Sequence, residues 1–399
     1  MNMRTGGGFA AFAFVLGLSG FFMMPLIADV KPFDLLAITF LLLKARQGFA
    51  LRRDDLPFLV FIAFAVASLA MSRYVVETSA LQTARYFVYF LIARLALSDA
   101  EHRALRNGLL ASMVANLAWM VIDVAQYYTV GGCMSLNERA FPWVEQVVTN
   151  RYPIEVGNCF MLRPTGFTWD PGGLFPIMLV TAYALGARRL LVLGSLGALF
   201  AVSRTALLTV FTIWLAKRSQ RAAWILVALI LVVVPAVTLM YAAPLAEELT
   251  DGTVRHLVYP ALALTSLYDD PRYLLLGDGL RGGAAVFLAR PEPFMFDFFE
   301  VDQLIRGTAR QVVVESIWIN LLTGAGLVGF VAYANWFFKG LARLPATLLG
   351  FIVAGTYYTF DSSAFCFVSA YLMMLPAAAG SQQTLARRTA PAGAEGAPT

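Results

Sequence analysis

Long apolar runs separated by short polar clusters recur from one end of the chain to the other. They fall near residues 9–29, 32–43, 56–72, 79–97, 106–128, 168–186, 189–202, 204–216, 222–243, 313–335, 344–361 and 363–379. A hydrocarbon core of ~30 Å needs about 20 apolar residues in helical form, so the pattern predicts an all-α, polytopic transmembrane bundle of about twelve spans. The second, seventh and eighth runs are short for a full crossing and imply tilted or paired helices. One transmembrane domain is expected over 1–379. The small, polar, Pro-containing stretch 380–399 reads as a disordered cytoplasmic tail.

Charge fixes the expected orientation. With an uncleaved first span starting inside, the inward loops carry Lys44, Arg46, Arg52, Arg53, Arg103, Arg106, Arg188, Arg189, Lys217, Arg218, Arg221, Lys339, Arg343, Arg387 and Arg388, which satisfies the positive-inside rule. Both termini are then cytoplasmic. Two long segments, about 129–167 and 244–312, face outward, the second between spans 9 and 10, and they alone have room for an extramembrane site.

Composition agrees with the pattern: 59% of residues are hydrophobic, 14% are charged and the mean hydropathy is +0.69, far from the roughly 25% charged share of soluble domains. The net charge of +5 is dispersed over short loops, which argues against a nucleic-acid partner. Of the 30 basic residues only four are lysine: Lys31, Lys44, Lys217 and Lys339. Planar, bidentate recognition of an anion would account for such an arginine bias, and so would a GC-rich genome.

Three cysteines are too few for a disulfide scaffold. Cys133 and Cys159 share the first outward segment, where an oxidising compartment would let them pair; two separate thiols are the alternative. Within the spans, Arg85 and Asp123 need an account, either as a mutual pair or as a cavity wall. No Cys/His/Asp cluster and no phosphate-binding Gly-Lys loop is present, so neither a metal nor a cofactor is expected.

Chemistry concentrates at outward helix ends. Ser203-Arg204-Thr205 lies at the junction of two short helices, and Arg163-Pro164-Thr165-Gly166 with Asp170-Pro171-Gly172 lies one hairpin away on the same face. An arginine in hydrocarbon costs ~2.5–3.5 kcal/mol on insertion scales, so it seeks a partner, a cavity or the interface. Pro171 and the glycines interrupt the helix and free backbone N–H groups for an anion. The plain alternatives are a snorkelling Arg204 beside a capping Ser203, and an ordinary Pro-initiated helix with Asp170 at its N-terminus.

An Arg-x-x-Gly-Phe-x-x-x-Pro element, a short hairpin ending in Ser-Arg-Thr, an outward loop with "LLLGDGL" and then "ESIWINLLTGAGLVGF" together resemble the O-antigen ligase and Wzy-type polysaccharide polymerase superfamily. The resemblance covers roughly residues 160 to 335 in consistent order. It implies a bacterial inner-membrane, metal-independent, inverting glycosyltransferase of the GT-C-like kind, working at the periplasmic face on polyprenyl diphosphate-linked oligosaccharide. Membrane lipid, a chain-length regulator and a flippase are the implied partners.

By position, Arg204 matches the superfamily's Ser-Arg arginine and Arg163 the arginine leading the Gly-Phe element. Gly277-Asp278-Gly279 matches its Leu-Gly-x-Gly turn, with Arg281 close behind. Arg163, Arg204, Arg281 and Arg310 are the expected diphosphate ligands, supported by Asp170, Pro171, Gly172, Ser203, Gly277 and Gly279. The chain departs from the pattern twice. Glu315-Ser316 stands where many ligases carry His-Asn, the two histidines being His102 and His256, and Pro171-Gly172 replaces Pro-Asn. Glu315 is the candidate base, which requires an apolar setting to raise its pKa; otherwise it is a glutamate complementing a helix N-terminus. Phe294, Phe296, Phe298 and Phe299 either guide the carrier lipid toward Arg306 and Arg310 or pack the loop's own core. The first expectation is a polymerase of lipid-linked repeats. A ligase acting on lipid A core or another acceptor is the near alternative, and a transporter or flippase is the alternative of another class, although no repeated halves are visible.

Overall fold

The computed structural model describes residues 5–22, 24–26, 30–70, 72, 76–130, 132–142, 151–167, 171–245, 271–280, 316–356 and 362–374. The fold is mostly helical. In chain order it comprises α1 (Thr5–Leu18), α2 (Pro32–Lys44), α3 (Leu56–Leu69), α4 (Val76–Ala93), α5 (Asp99–Thr129), α6 (Leu136–Ala140), β1 (Arg151–Val156), β2 (Cys159–Leu162), α7 (Pro171–Ala184), α8 (Arg188–Phe200), α9 (Arg204–Arg218), α10 (Gln220–Leu245), α11 (Pro271–Leu276), α12 (Ile317–Leu341), α13 (Pro345–Thr356) and α14 (Ser362–Met374). Each of the twelve expected runs contains a helix. By length and composition two of these, α5 and α12, are able to cross a bilayer on their own, while Gly7–Leu18, Phe175–Ala184, Gln220–Val232, Pro345–Thr356 and Phe365–Met374 are shorter apolar stretches.

Helix limits follow local chemistry. The long α5 begins earlier than its apolar run because Ser98 and Glu101 form a reciprocal capping box, each side chain bonding the other's backbone N–H. In contrast, α1 stops at Leu18, well short of residue 29. The Ser19 hydroxyl donates to the Leu16 carbonyl, the chain turns at Gly20, and the Phe21 N–H donates to Ser112 Oγ on α5 at 3.3 Å.

The core is a continuous aromatic and aliphatic mass between α3, α4, α12 and α14, with Phe58, Tyr86, Phe90, Tyr333, Trp336 and Phe337 fully or nearly fully buried. Outside it, Leu42, Val121, Phe200 and Val232 are each at least 65% exposed. An outer surface this apolar is unfavourable in water and suits lipid.

Among the described residues, three buried ion pairs lie within the bundle. Arg85 does not meet Asp123; it forks onto Asp34, with Nη2–Oδ2 at 2.8 Å and Nε–Oδ1 at 3.1 Å, and the Tyr89 hydroxyl donates to the same carboxylate. Asp34 lies at the start of α2 and was hidden in an apolar run. Asp123 instead accepts from the Leu136 N–H at 2.6 Å, tying α6 to α5. Lys44, expected in an inward loop, is buried against Glu101.

One element lies outside the all-α expectation. Residues 151–162 form an antiparallel hairpin pairing Arg151 with Leu162 and Val156 with Cys159, with a register shift between Tyr152 and Glu155. Its two-residue turn is Gly157-Asn158, with Gly157 at φ 65°, the left-handed geometry that such turns require. Cys133 and Cys159 are joined in a disulfide with Cα atoms 5.3 Å apart, fastening the hairpin to the end of α5. Closing a span of 26 residues is worth ~3–4 kcal/mol in the chain-entropy account. In SDS, a maleimide is expected to label one thiol per chain, Cys366, before reduction and three after it. Three labels before reduction would remove the bridge.

Candidate functional site

The loop 163–167 leaves β2 and crosses the C-terminal half of α5, where two buried asparagines grip it. Asn116 of α5 accepts the Phe167 N–H at 2.8 Å and donates to the carbonyls of Ser112 and Phe21 at 2.9 and 3.3 Å. Asn137 of α6 donates to Thr165 Oγ1 and to the Gly166 carbonyl, both at 2.8 Å, and accepts from Trp119 Nε1 at 2.8 Å. Gly166 has φ 68°, and a Cβ there would stand 2.6 Å from Asn116 Oδ1, so the loop's geometry requires glycine. Phe167 is sandwiched between Trp119 and Phe22, with ring centroids 4.6 and 4.9 Å away.

Held this way, Arg163 reaches the next hairpin. Its Nε donates to the Ala201 carbonyl at 3.3 Å, in the turn that carries the chain from α8 into Arg204. That turn is unusual. Val202 has φ 46°, a left-handed conformation costly for a β-branched residue. Ser203 occupies the N-cap of α9 yet makes no side-chain cap bond; its hydroxyl is fully buried and has no hydrogen-bond partner among the described residues. The capping role in the plain alternative is therefore not made. The first-turn N–H groups of α9 lack the acceptor that a serine supplies there, and Arg204, the first residue of the helix, is exposed. Arg163 thus bonds the C-cap carbonyl of α8 three residues before Arg204, beside the uncapped N-terminus of α9, whose free N–H groups are the kind that meet an anion.

Gly277-Asp278-Gly279 sits on other elements. Gly277 and Gly279 have φ of 78° and 90°. The turn forms a two-rung backbone ladder with α12: Asp278 N–H donates to the Thr323 carbonyl at 2.9 Å and Gly279 N–H to the Gly324 carbonyl at 3.0 Å. There α12 is broken at Gly326, φ 68° and ψ 178°, and a Cβ on Gly326 would overlap the Leu275 carbonyl. Leu274–Leu280 and Leu321–Leu327, which read "LLLGDGL" and "LLTGAGL", lock together here through their glycines. This explains the turn's tight backbone without assigning it a ligand. Ser72 and Ser79 line its far side.

Among the expected site residues, Arg163 meets the turn of Ser203 and Arg204. Pro171 opens α7 and Gly172 follows it there. Glu315, Arg281, Arg310 and Asp170 lie outside the described residues, as do Arg306 and the Phe294–Phe299 cluster. Asn116, Trp119 and Asn137, which hold the loop, were not singled out from sequence. Among the described residues no group of three or more His, Cys, Asp or Glu side chains is placed to hold a metal ion.

No protein-family model matches the chain, and the searches of curated proteins and of solved structures likewise return no match.

Proposed function

We propose that this chain is a membrane glycosyltransferase that polymerises lipid-linked oligosaccharide repeats. In this reading the helices form a bundle of about twelve spans in a bacterial inner membrane, both termini are cytoplasmic, and the α5–α9 corner faces the periplasm. An acceptor sugar hydroxyl attacks the anomeric carbon of the donor. The bond from that carbon to the diphosphate oxygen breaks with inversion, the hydroxyl proton passes to Glu315, and the polyprenyl diphosphate departs against Arg163, Arg204, Arg281 and Arg310. Guanidinium forks suit this task because they match phosphate oxygens in bidentate geometry and keep their charge at any working pH.

The observation that carries the reading is the bond from Arg163 to the Ala201 carbonyl, which joins two arginine-bearing motifs separated by a hairpin in sequence. Glycan profiling of a strain lacking the chain tests it. A polymerase leaves single repeats attached to the core and no length ladder. Bare core with accumulated carrier-linked polymer would assign ligase activity instead, and cytoplasmically trapped lipid-linked repeats would point to a flippase. An unchanged profile would overturn the enzyme reading altogether.

A further inference from the structure

Arg163 is a long side chain at the end of a two-stranded hairpin, a position that by itself defines a guanidinium poorly. What defines it is the clasp on the residues that follow. Asn137 spends both amide functions, donating to Thr165 and Gly166 and accepting from Trp119. Asn116 does the same, from Phe21 and Ser112 to Phe167. Both side chains are at least 98% buried, where an amide is retained only if its partners are satisfied. Through these bonds the two asparagines fix the chain two to four residues beyond Arg163.

We infer that Asn116 and Asn137 are positioning residues for Arg163, holding its guanidinium at the α8–α9 turn where a phosphate is to be bound; the ligand part of this inference rests on the proposed function. Displacement of a binding group by about 1 Å is enough to cost on the order of 100-fold in rate, so a clasp of this kind can act on the site through backbone placement. It also ties α6 to α5. Asp123 anchors α6 through Leu136, and α6 presents Asn137.

Two measurements on the full chain in nanodiscs test the inference. Nitroxides on Arg163→Cys and Phe200→Cys report the placement of position 163 by pulsed electron resonance without requiring any activity. A narrow distance distribution is expected, broadened in Asn116→Ala and in Asn137→Asp, the latter keeping the acceptor for Trp119 and losing the donors to the loop. Unbroadened distributions in both variants overturn the clasp. Binding of undecaprenyl diphosphate supplies the second arm. Arg163→Ala is expected to weaken it about tenfold or more, as for loss of a charged hydrogen bond, and Asn137→Asp about fivefold. Adding Asn137→Asp to Arg163→Ala should change affinity less than about twofold, because the clasp acts through that arginine. Penalties that multiply show that Asn137 acts elsewhere and overturn the positioning role. Wild-type protein that does not bind undecaprenyl diphosphate overturns the ligand reading of Arg163, while the distance distributions still decide the clasp.

Discussion

Arg204→Ala should abolish nearly all glycan transfer, by about 10²- to 10³-fold, the scale seen when one preorganised donor to developing charge is removed, while the folded protein barely notices. Arg204 is exposed and makes no ion pair among the described residues, and substitutions at such positions usually stay within about 0.5 kcal/mol. Arg204→Lys tests the chemistry more finely. It keeps the charge and loses the planar fork, so it should recover only part of the rate. Arg189, exposed at the opposite end of α8, is the control for charge alone, and Arg189→Ala should leave transfer unchanged. The measurement is turnover of purified lipid-linked donor by each variant, with unfolding followed in the same detergent. Full transfer by Arg204→Ala, or an equal loss in Arg189→Ala, would remove Arg204 from the site.

Much of the helical framework was legible because hydropathy and helix geometry share one cause: an apolar run must bury or meet lipid, and only a helix satisfies its own backbone there. Helix ends were less legible because they answer to local bonds. The capping box at Ser98 extends α5, and the Ser19 hydroxyl with Gly20 ends α1 early. The hairpin at 151–162 was missed although it carries a signal, Gly157-Asn158 between two runs of β-branched, aromatic and aliphatic residues. Strands of six and four residues are far shorter than the ~20-residue apolar runs that mark a membrane helix.

The site divides the same way. Arg163 and Arg204 were legible because charge is conspicuous in an apolar chain. The groups that hold the loop after Arg163 were not. Asn116 and Asn137 carry no charge, and their value lies in contacts with Phe21, Thr165, Gly166 and Phe167, which no local pattern encodes. Arg85 shows the reverse failure. It demands an account, as a pair with the conspicuous Asp123 or as a cavity wall, and its partner is Asp34 at the helix start; sequence gives no distance between spans.

The largest stability effect is expected at Asp55, where four segments meet. Arg94 forks onto its carboxylate at 2.6 and 2.8 Å, Trp336 Nε1 donates at 3.2 Å and the Arg52 N–H at 2.9 Å, while a remaining Arg94 nitrogen donates to the Ala370 carbonyl at 3.0 Å. Both side chains are 3% exposed. Removing one partner strands a buried charge and typically costs ~3–5 kcal/mol, whereas replacing both by packed apolar groups is often neutral. Asp55→Ala should therefore be far more damaging than the pair Asp55→Leu with Arg94→Met. Burial alone would raise the Asp55 pKa, but the Arg94 fork and the Arg52 and Trp336 bonds outweigh it and hold the carboxyl below the usual aspartate value. A depressed folded-state pKa contributes stability in full above the unfolded value of about 3.9, and that contribution is lost as pH falls through the folded one. Thermal midpoints followed by tryptophan fluorescence, with Trp336 as the local reporter, should fall below about pH 4 in wild type. Asp55→Asn starts lower and should lose that part of the acid slope. If it retains the wild-type slope, the acid-sensitive group lies elsewhere and the four-way junction is held by packing instead of charge.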